Sequence, residues 1–260
     1  MNLTIYQVDA FANKVFECNP AAVVPIQTWL PDKTLQNIAL ENNLSETAFF
    51  VPANKGYHIR WFTPGSEVDL CGHATLATAH VLFQHLNYSE KEIHFESRSG
   101  LLMVKKEGDL LILNFPSSVV EAKYIPTNLK TAFTIHPIKC YKGKSDLMLI
   151  FKSEKDIIDL QPDFLKIIES NARGVICTAR SEEYDFVSRF FAPAVGINED
   201  PVTGSAHTML IPYWAEQLNK TELTAKQVSK RGGVLYCKHL LDRVEIGGKA
   251  VTYLIGEINI

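Results

Sequence analysis

The sequence predicts an α+β protein built as two pseudo-equivalent halves. Three observations carry this. Short apolar segments with the length and composition of strands recur along the chain. Two longer apolar stretches, "HATLATAHVLFQHL" and "TMLIPYWAEQL", each follow a glycine-containing loop and read as helices. The succession of strand, loop and helix also runs through the chain twice, and the chain, at 260 residues, is long enough for one large domain or two.

Taken in order, "LTIYQVDAF" and "AAVVPI" read as strands. "PDKTLQNIALENN" opens on Pro31-Asp32 and places Leu35, Ile38 and Ala39 on one helical face. "TAFFVPA" and "YHIRWFTP" are strands, and "HATLATAHVLFQHL" is a breaker-free helix. "EIHFES" and "LLMVKKEGDLLILNFP" follow, the second turning at Glu107-Gly108-Asp109 as a hairpin.

After Pro116 the order begins again. "DLMLIF" is a strand, and "PDFLKIIES" repeats the Pro-Asp opening with helical spacing. "GVICTA" answers "TAFFVPA", and "YDFVSRFFAP" answers "YHIRWFTP". Arg60-Trp61-Phe62-Thr63-Pro64 matches Arg189-Phe190-Phe191-Ala192-Pro193 at an offset of 129 residues, and Gly72-His73-Ala74 matches Gly204-Ser205-Ala206 at 132. Three extra residues in the second loop account for the change. Such a repeat at half the chain length implies an internal duplication. The expected domains are residues 1–117 and 118–252, with the last strand, about 253–260, free to return to the first. Ligand sites favour domain interfaces, so the matching loops are expected to face one cleft.

Composition excludes several classes. The net charge of −3 offers no basic excess to neutralise phosphates, so a nucleic-acid partner is not expected. No apolar run approaches the roughly 18 residues of a membrane span, and the first residues lack the pattern of a signal peptide. Five cysteines in odd number and wide spacing, with no CxxC, fit reduced thiols in the cytoplasm and not a disulfide scaffold or a metal site.

The chemistry-bearing residues collect at the duplicated loops. A helix N-terminus exposes unpaired N–H groups and the positive end of the helix dipole, and so attracts carboxylate or phosphate. Gly72 and Gly204 would let such an anion approach the backbone. Read alone, Gly204-Ser205 is equally an N-cap in which Ser205 bonds its own backbone. Glu46, in "NNLSETAFF", stands where a strand enters apolar surroundings. Desolvation there would suit it to proton transfer, and its counterpart is Val175. Asp200 precedes Pro201 and would orient a polar substrate group or simply complement the helix dipole. His73 matches Ser205, and a helix N-terminus favours its neutral form. Cys71 matches Thr203. A thiol at a helix N-terminus has a lowered pKa, yet the preferred reading of Cys71 is a buried small residue.

"VDAFANKVFECNPAAVV", "NLSETAFF", "IRWFTPGSEVDLCGHATLA", "RFFAPAVGINEDPVTGSAH" and "QVSKRGG" resemble, in this order, the PhzF family of phenazine-biosynthesis-like proteins. The resemblance implies the diaminopimelate epimerase-like fold, in which two pseudo-symmetric domains each form a curved, barrel-like β-structure around a central helix, with the site between them. It implies an isomerase that moves a proton on and off carbon without a cofactor. Its acid/base glutamate falls on Glu46, and its histidine, aspartate and serine fall on His73, Asp200 and Ser205. Related epimerases and racemases use two cysteines, at the positions of Cys71 and Thr203. Cys18 departs from the family's "GNP", and Cys71 from the phenazine enzyme itself, so the substrate is not carried over. The expected reading is a cofactor-independent isomerase of a small anionic, carboxylate-bearing metabolite, with homodimerisation implied by resemblance alone. Its rivals are a cysteine-dependent epimerase or racemase using Cys71 and a non-catalytic metabolite-binding protein.

Overall fold

The computed structural model describes all residues, Met1–Ile260. The chain divides into two compact units, Met1–Asn114 with Gly247–Ile260, and Phe115–Ile246. In chain order the first 116 residues form β1 (Asn2–Ala10), β2 (Asn19–Pro25), α1 (Asp32–Asn42), β3 (Glu46–Pro52), β4 (Tyr57–Phe62), β5 (Glu67–Val68), α2 (Gly72–His85), β6 (Glu92–Ser97), β7 (Gly100–Glu107) and β8 (Leu110–Pro116). Next come β9 (Glu121–Lys123), α3 (Thr127–Thr131), β10 (Lys139–Lys142), β11 (Asp146–Ile150), α4 (Glu154–Asp159), α5 (Phe164–Ile168), β12 (Gly174–Arg180), β13 (Phe186–Ala192), β14 (Ile197–Asp200), α6 (Gly204–Leu218), β15 (Glu222–Gln227), β16 (Gly233–Leu240), β17 (Arg243–Gly248) and β18 (Ala250–Asn259). The architecture is α+β and dominated by sheet. No helix is long and apolar enough to cross a membrane.

In the first unit β2 runs parallel to β3, with Ala21 opposite Glu46, and α1 makes the crossover. β3 pairs antiparallel with β4, and β4 parallel with β6 across α2. β6, β7 and β8 continue antiparallel, the β7–β8 turn using Gly108 at φ +60. A left-handed φ is cheapest for glycine, which is why the turn sits there. β1 pairs antiparallel with both β2 and β18, so the last strand belongs with the first.

The second unit repeats this pattern. β11 runs parallel to β12, β12 antiparallel to β13, β13 parallel to β15 across α6, and β15 antiparallel to β16. Two arginine-carboxylate forks repeat as well. Arg60 Nε and Nη2 reach Glu67 at 2.7 Å each, while Arg189 Nε and Nη2 reach Glu199 at 2.7 and 3.0 Å. The shared topology and the matched forks are the physical content of the sequence repeat.

The helices differ in burial for a reason visible in their residues. α1 buries only Leu35, Ile38 and Ala39, one face, and packs on β3 and β4. α2 is buried along most of its circumference, against β1, β2, β3 and β18. A helix apolar on all sides must be enclosed. Its small Ala and Thr side chains let strands approach closely, and the buried hydroxyls of Thr75 and Thr78 bond back to the carbonyls of Cys71 and Ala74. α6 is enclosed likewise and carries Pro212 in its interior. Proline cannot donate to the carbonyl four residues earlier. That carbonyl, Thr208, instead accepts the Ser118 N–H at 3.0 Å, and the two side-chain hydroxyls meet at 2.8 Å.

One expectation needs correction. "PDFLKIIES" was expected to match α1, but α5 spans only five residues, Phe164–Ile168. Asp163 caps it by accepting from the Lys166 N–H at 3.3 Å, and the backbone at Pro162 is engaged in a bridge with Phe133. The neighbouring α4 shares the crossover, started by a capping box between Ser153 and Asp156.

If enclosure of α6 holds the second unit together, Leu210→Ala, at a fully buried position, should destabilise by roughly 2–5 kcal/mol. Leu165→Ala, on the exposed face of α5, should stay within about 0.5 kcal/mol. Urea unfolding of the two variants checks this; equal effects would contradict it.

Candidate functional site

Glu46 is the first residue of β3 and His73 the second residue of α2. Glu46 Oε2 lies 3.1 Å from His73 Nε2, and the two side chains are 12% and 7% exposed. The contact is off the hydrogen-bonding direction, and neither atom has another hydrogen-bond partner. On the ring's other edge, His73 Nδ1 lies 3.5 Å from Cys71 Sγ. Glu46, His73 and Cys71 are therefore one cluster, drawn from a strand start and a helix start that the sequence separates by some 25 residues.

Cys71 is the N-cap of α2, extended at φ −143 and ψ 109, and its side chain makes no cap bond. The first-turn N–H groups of α2 therefore lack the side-chain oxygen that usually takes one of them. Of the two readings of Cys71, the buried small residue accords with its surroundings better than the activated thiol. Burial first, and then the Glu46 carboxylate, push the Cys71 thiol up, outweighing the lowering by His73. For His73 the balance of its surroundings runs against the expected neutral ring. Burial works against its cation, but Cys71 and Glu46 on its two edges outweigh this and hold it well above the ordinary histidine value. The dipole of α2 is a weaker influence than a carboxylate at 3.1 Å.

A metal is a further use for such residues. Glu46, Cys71 and His73 each offer one ligand atom, all within 4.8 Å of one another. His73, however, turns Nε2 to Glu46 and Nδ1 to Cys71. The ring stands between the other two groups, whereas a shared ion needs one ring nitrogen pointing with both.

In the second unit Asp200 ends β14 and its carboxylate accepts from the Thr203 hydroxyl. Thr203 is the N-cap of α6, extended at φ −118 and ψ 99, again with no side-chain cap bond. The alternative in which Ser205 caps the helix is not realised. Ser205 Oγ instead accepts from Arg173 Nη2 at 3.2 Å. The loop between β14 and α6 is held by Gln227, fully buried, whose Oε1 accepts the Thr203 N–H at 2.9 Å and whose Nε2 donates to the Asp200 carbonyl at 2.7 Å. Ser229 adds a bond to the Pro201 carbonyl at 2.8 Å.

Gln227 and Arg173 were not singled out from the sequence. The only signal was that Gln227 opens "QVSKRGG", a motif with no chemistry of its own to read. Of the sequence candidates, Glu46 and His73 come together in the first unit. Asp200 and Ser205 stand in the second, on either side of the Thr203 cap. Gly72 and Gly204 are the first residues of α2 and α6.

The family model for phenazine biosynthesis-like protein matches residues 8–256. A Pseudomonas aeruginosa protein named an uncharacterized isomerase is 51% identical over 260 residues, covering all of both chains. A crystal structure of a PhzF-family phenazine biosynthesis protein from Enterococcus faecalis superposes with a TM-score of 0.98 at 48% identity, again over all of both chains. A hydroxyproline epimerase from Agrobacterium vitis, at 9% identity, shares the fold alone, with a TM-score of 0.63 over 99% of this chain and 92% of that one.

The buried histidines set opposite pH dependences. His207 Nδ1 bonds the Thr203 carbonyl at 2.8 Å, leaving Nε2 buried without a partner. Burial lowers its pKa to about 4, partly offset by the Thr203 bond. A depressed pKa contributes stability that is present above the unfolded value near 6.5 and lost as pH falls towards 4. His73, raised, contributes stability that is present below about 6.5 and lost as pH rises through its folded value. Urea unfolding from pH 7 to 4 should therefore show a decline in stability of which His207 supplies about 3 kcal/mol. His207→Gln should flatten that decline; an unchanged slope would contradict the assignment.

Proposed function

From the premise that this chain belongs to the phenazine biosynthesis-like family, an isomerase family, we propose that it moves a proton on carbon in a small carboxylate-bearing metabolite, with Glu46 as general acid and base. The single observation that carries this is the pairing of Glu46 Oε2 with His73 Nε2, 3.1 Å apart and buried at the uncapped start of α2.

Glu46 takes the proton from substrate carbon and returns it at a second carbon, or to the opposite face of the same one. The His73 ring, its pKa raised, lies 3.1 Å from the carboxylate that would accept that proton. When Glu46 becomes neutral on protonation, the imidazolium loses its counter-charge and is available to an oxyanion forming on the substrate. In the first unit the N–H groups at Gly72-His73 would hold the developing enolate, and in the second the N–H groups at Gly204-Ser205 offer an anion site of their own. Asp200 and Ser205 are assigned to the same reaction as substrate-orienting groups. Asp200 is already held by Thr203, and the Ser205 hydroxyl, accepting from Arg173, keeps its own hydrogen to donate.

The cysteine-dependent alternative is disfavoured by the raised thiol of Cys71 and by Thr203 in the partner position. A screen of metabolites in D₂O, read by mass spectrometry for deuterium at carbon, identifies the substrate. On that substrate Glu46→Gln should lower exchange about 10²–10⁴-fold, while Cys71→Ala stays near wild type. Full exchange by Glu46→Gln, or loss in Cys71→Ala alone, would transfer the role to the thiol.

A further inference from the structure

The duplication places the same two slots in each unit, a strand start and the second residue of the enclosed helix behind it. In the first unit they hold Glu46 and His73. In the second, the residue matching His73 is Ser205, and the strand registers put Gly174 in the place of Glu46, since Val175 pairs with Phe191 as Thr47 pairs with Phe62. Two residues before Val175, Arg173 points its guanidinium at Ser205. Where one unit offers an acid, the other offers a cation.

Arg173 is held in place from three sides. Nε bonds Asp146 Oδ1 at 2.9 Å, and Nη2 bonds Asp146 Oδ2, a carboxylate only 5% exposed. The guanidinium carbon lies 5.5 Å from the centre of the Phe190 ring. The Phe190 ring itself occupies the space where a side chain on Gly174 would begin. Asp146 takes two of the five N–H donors and Ser205 a third. Both hydrogens on Nη1 remain without a protein acceptor, on a side chain that is 40% exposed. A residue needed only to neutralise Asp146 would not have to reach Ser205 as well. The forks at Arg60 and Arg189 show the contrast, since those side chains are 18% and 12% exposed.

We propose that Arg173 is the carboxylate-holding and specificity-determining residue of a subsite in the second unit, receiving a ligand carboxylate on Nη1 and Ser205 Oγ. This rests on the isomerase reading for the identity of the ligand, but not for the existence of the subsite. Asp146 and Phe190 fix the guanidinium plane before the ligand arrives, so the fork loses little freedom on binding. Substrates bearing an amide or ester in place of the carboxylate are rejected because they bring no charge to the fork.

Benzoate and its uncharged analogue benzamide serve as probes, with binding followed by NMR at the Arg173 Nε–H and the Ser205 amide. Wild type should bind benzoate, shift both resonances and ignore benzamide. Arg173→Lys should weaken benzoate by about tenfold or more, because an ammonium cannot keep the fork. The double variant Asp146→Asn/Arg173→Gln, which leaves no lone buried charge, should lose it further. Benzoate binding by the folded double variant within twofold of wild type would overturn the proposal. So would wild type showing no shift at these two groups. Failure of the isomerase reading appears elsewhere, as undiminished carbon–deuterium exchange in Glu46→Gln, and leaves the benzoate result standing.

Discussion

A helix enclosed on nearly all sides meets the rest of its surroundings only at its ends, and that constraint shapes this molecule. α2 and α6 are apolar around most of their circumference and accept strands closely because Ala, Thr and Gly are frequent along them. Their interiors are self-sufficient. Thr75, Thr78 and His207 each bond a carbonyl four residues back, and the one backbone gap, made by Pro212, is filled by Ser118. Their starts are not self-sufficient. Cys71 and Thr203 hold the N-cap position in extended conformation without capping, which leaves donors that a ligand can use.

On that repeated frame the two units have diverged in what they present. The conserved architecture is carried by matched strand order and by the forks Arg60–Glu67 and Arg189–Glu199. The differences lie at the starts of β3, β12 and the helices. In strand register Glu46 answers Gly174, His73 answers Ser205, and Cys71 answers Thr203, while Arg173 and Asp146 add a fork to the second unit alone. On the proposed reading, a group that takes a proton and a group that holds an anion need opposite electrostatics, which two chemically identical units could not supply.

Much of this was legible in the sequence, and the reasons are local. Alternation in "LTIYQVDAF", the Pro-Asp start of α1 and the breaker-free run of α2 are patterns within one element. The glycine-led loops showed where chemistry would collect, and Glu46 stood out because an acid met apolar neighbours. What escaped depends on distance through space. α4 begins on a capping box of ordinary residues, and α5 is cut short after five residues. The strands after Thr221 carry weaker alternation. Arg173 reaches Asp146 and Ser205, 27 and 32 positions away, and Gln227 reaches back 24 to Thr203. The raised pKa of His73 escaped because it depends on Cys71 and Glu46 meeting the two edges of one buried ring.

The central claim is that Glu46 and His73 form a charged pair poised for proton transfer. It is tested most directly by ¹⁵N NMR of the His73 ring in wild type and in Glu46→Gln, titrated between pH 6 and 8. The account predicts both ring nitrogens protonated across this range in wild type, with the ring turning neutral within it, or already neutral, once the carboxylate is gone. A wild-type ring that is neutral throughout, or a titration untouched by Glu46→Gln, would contradict it.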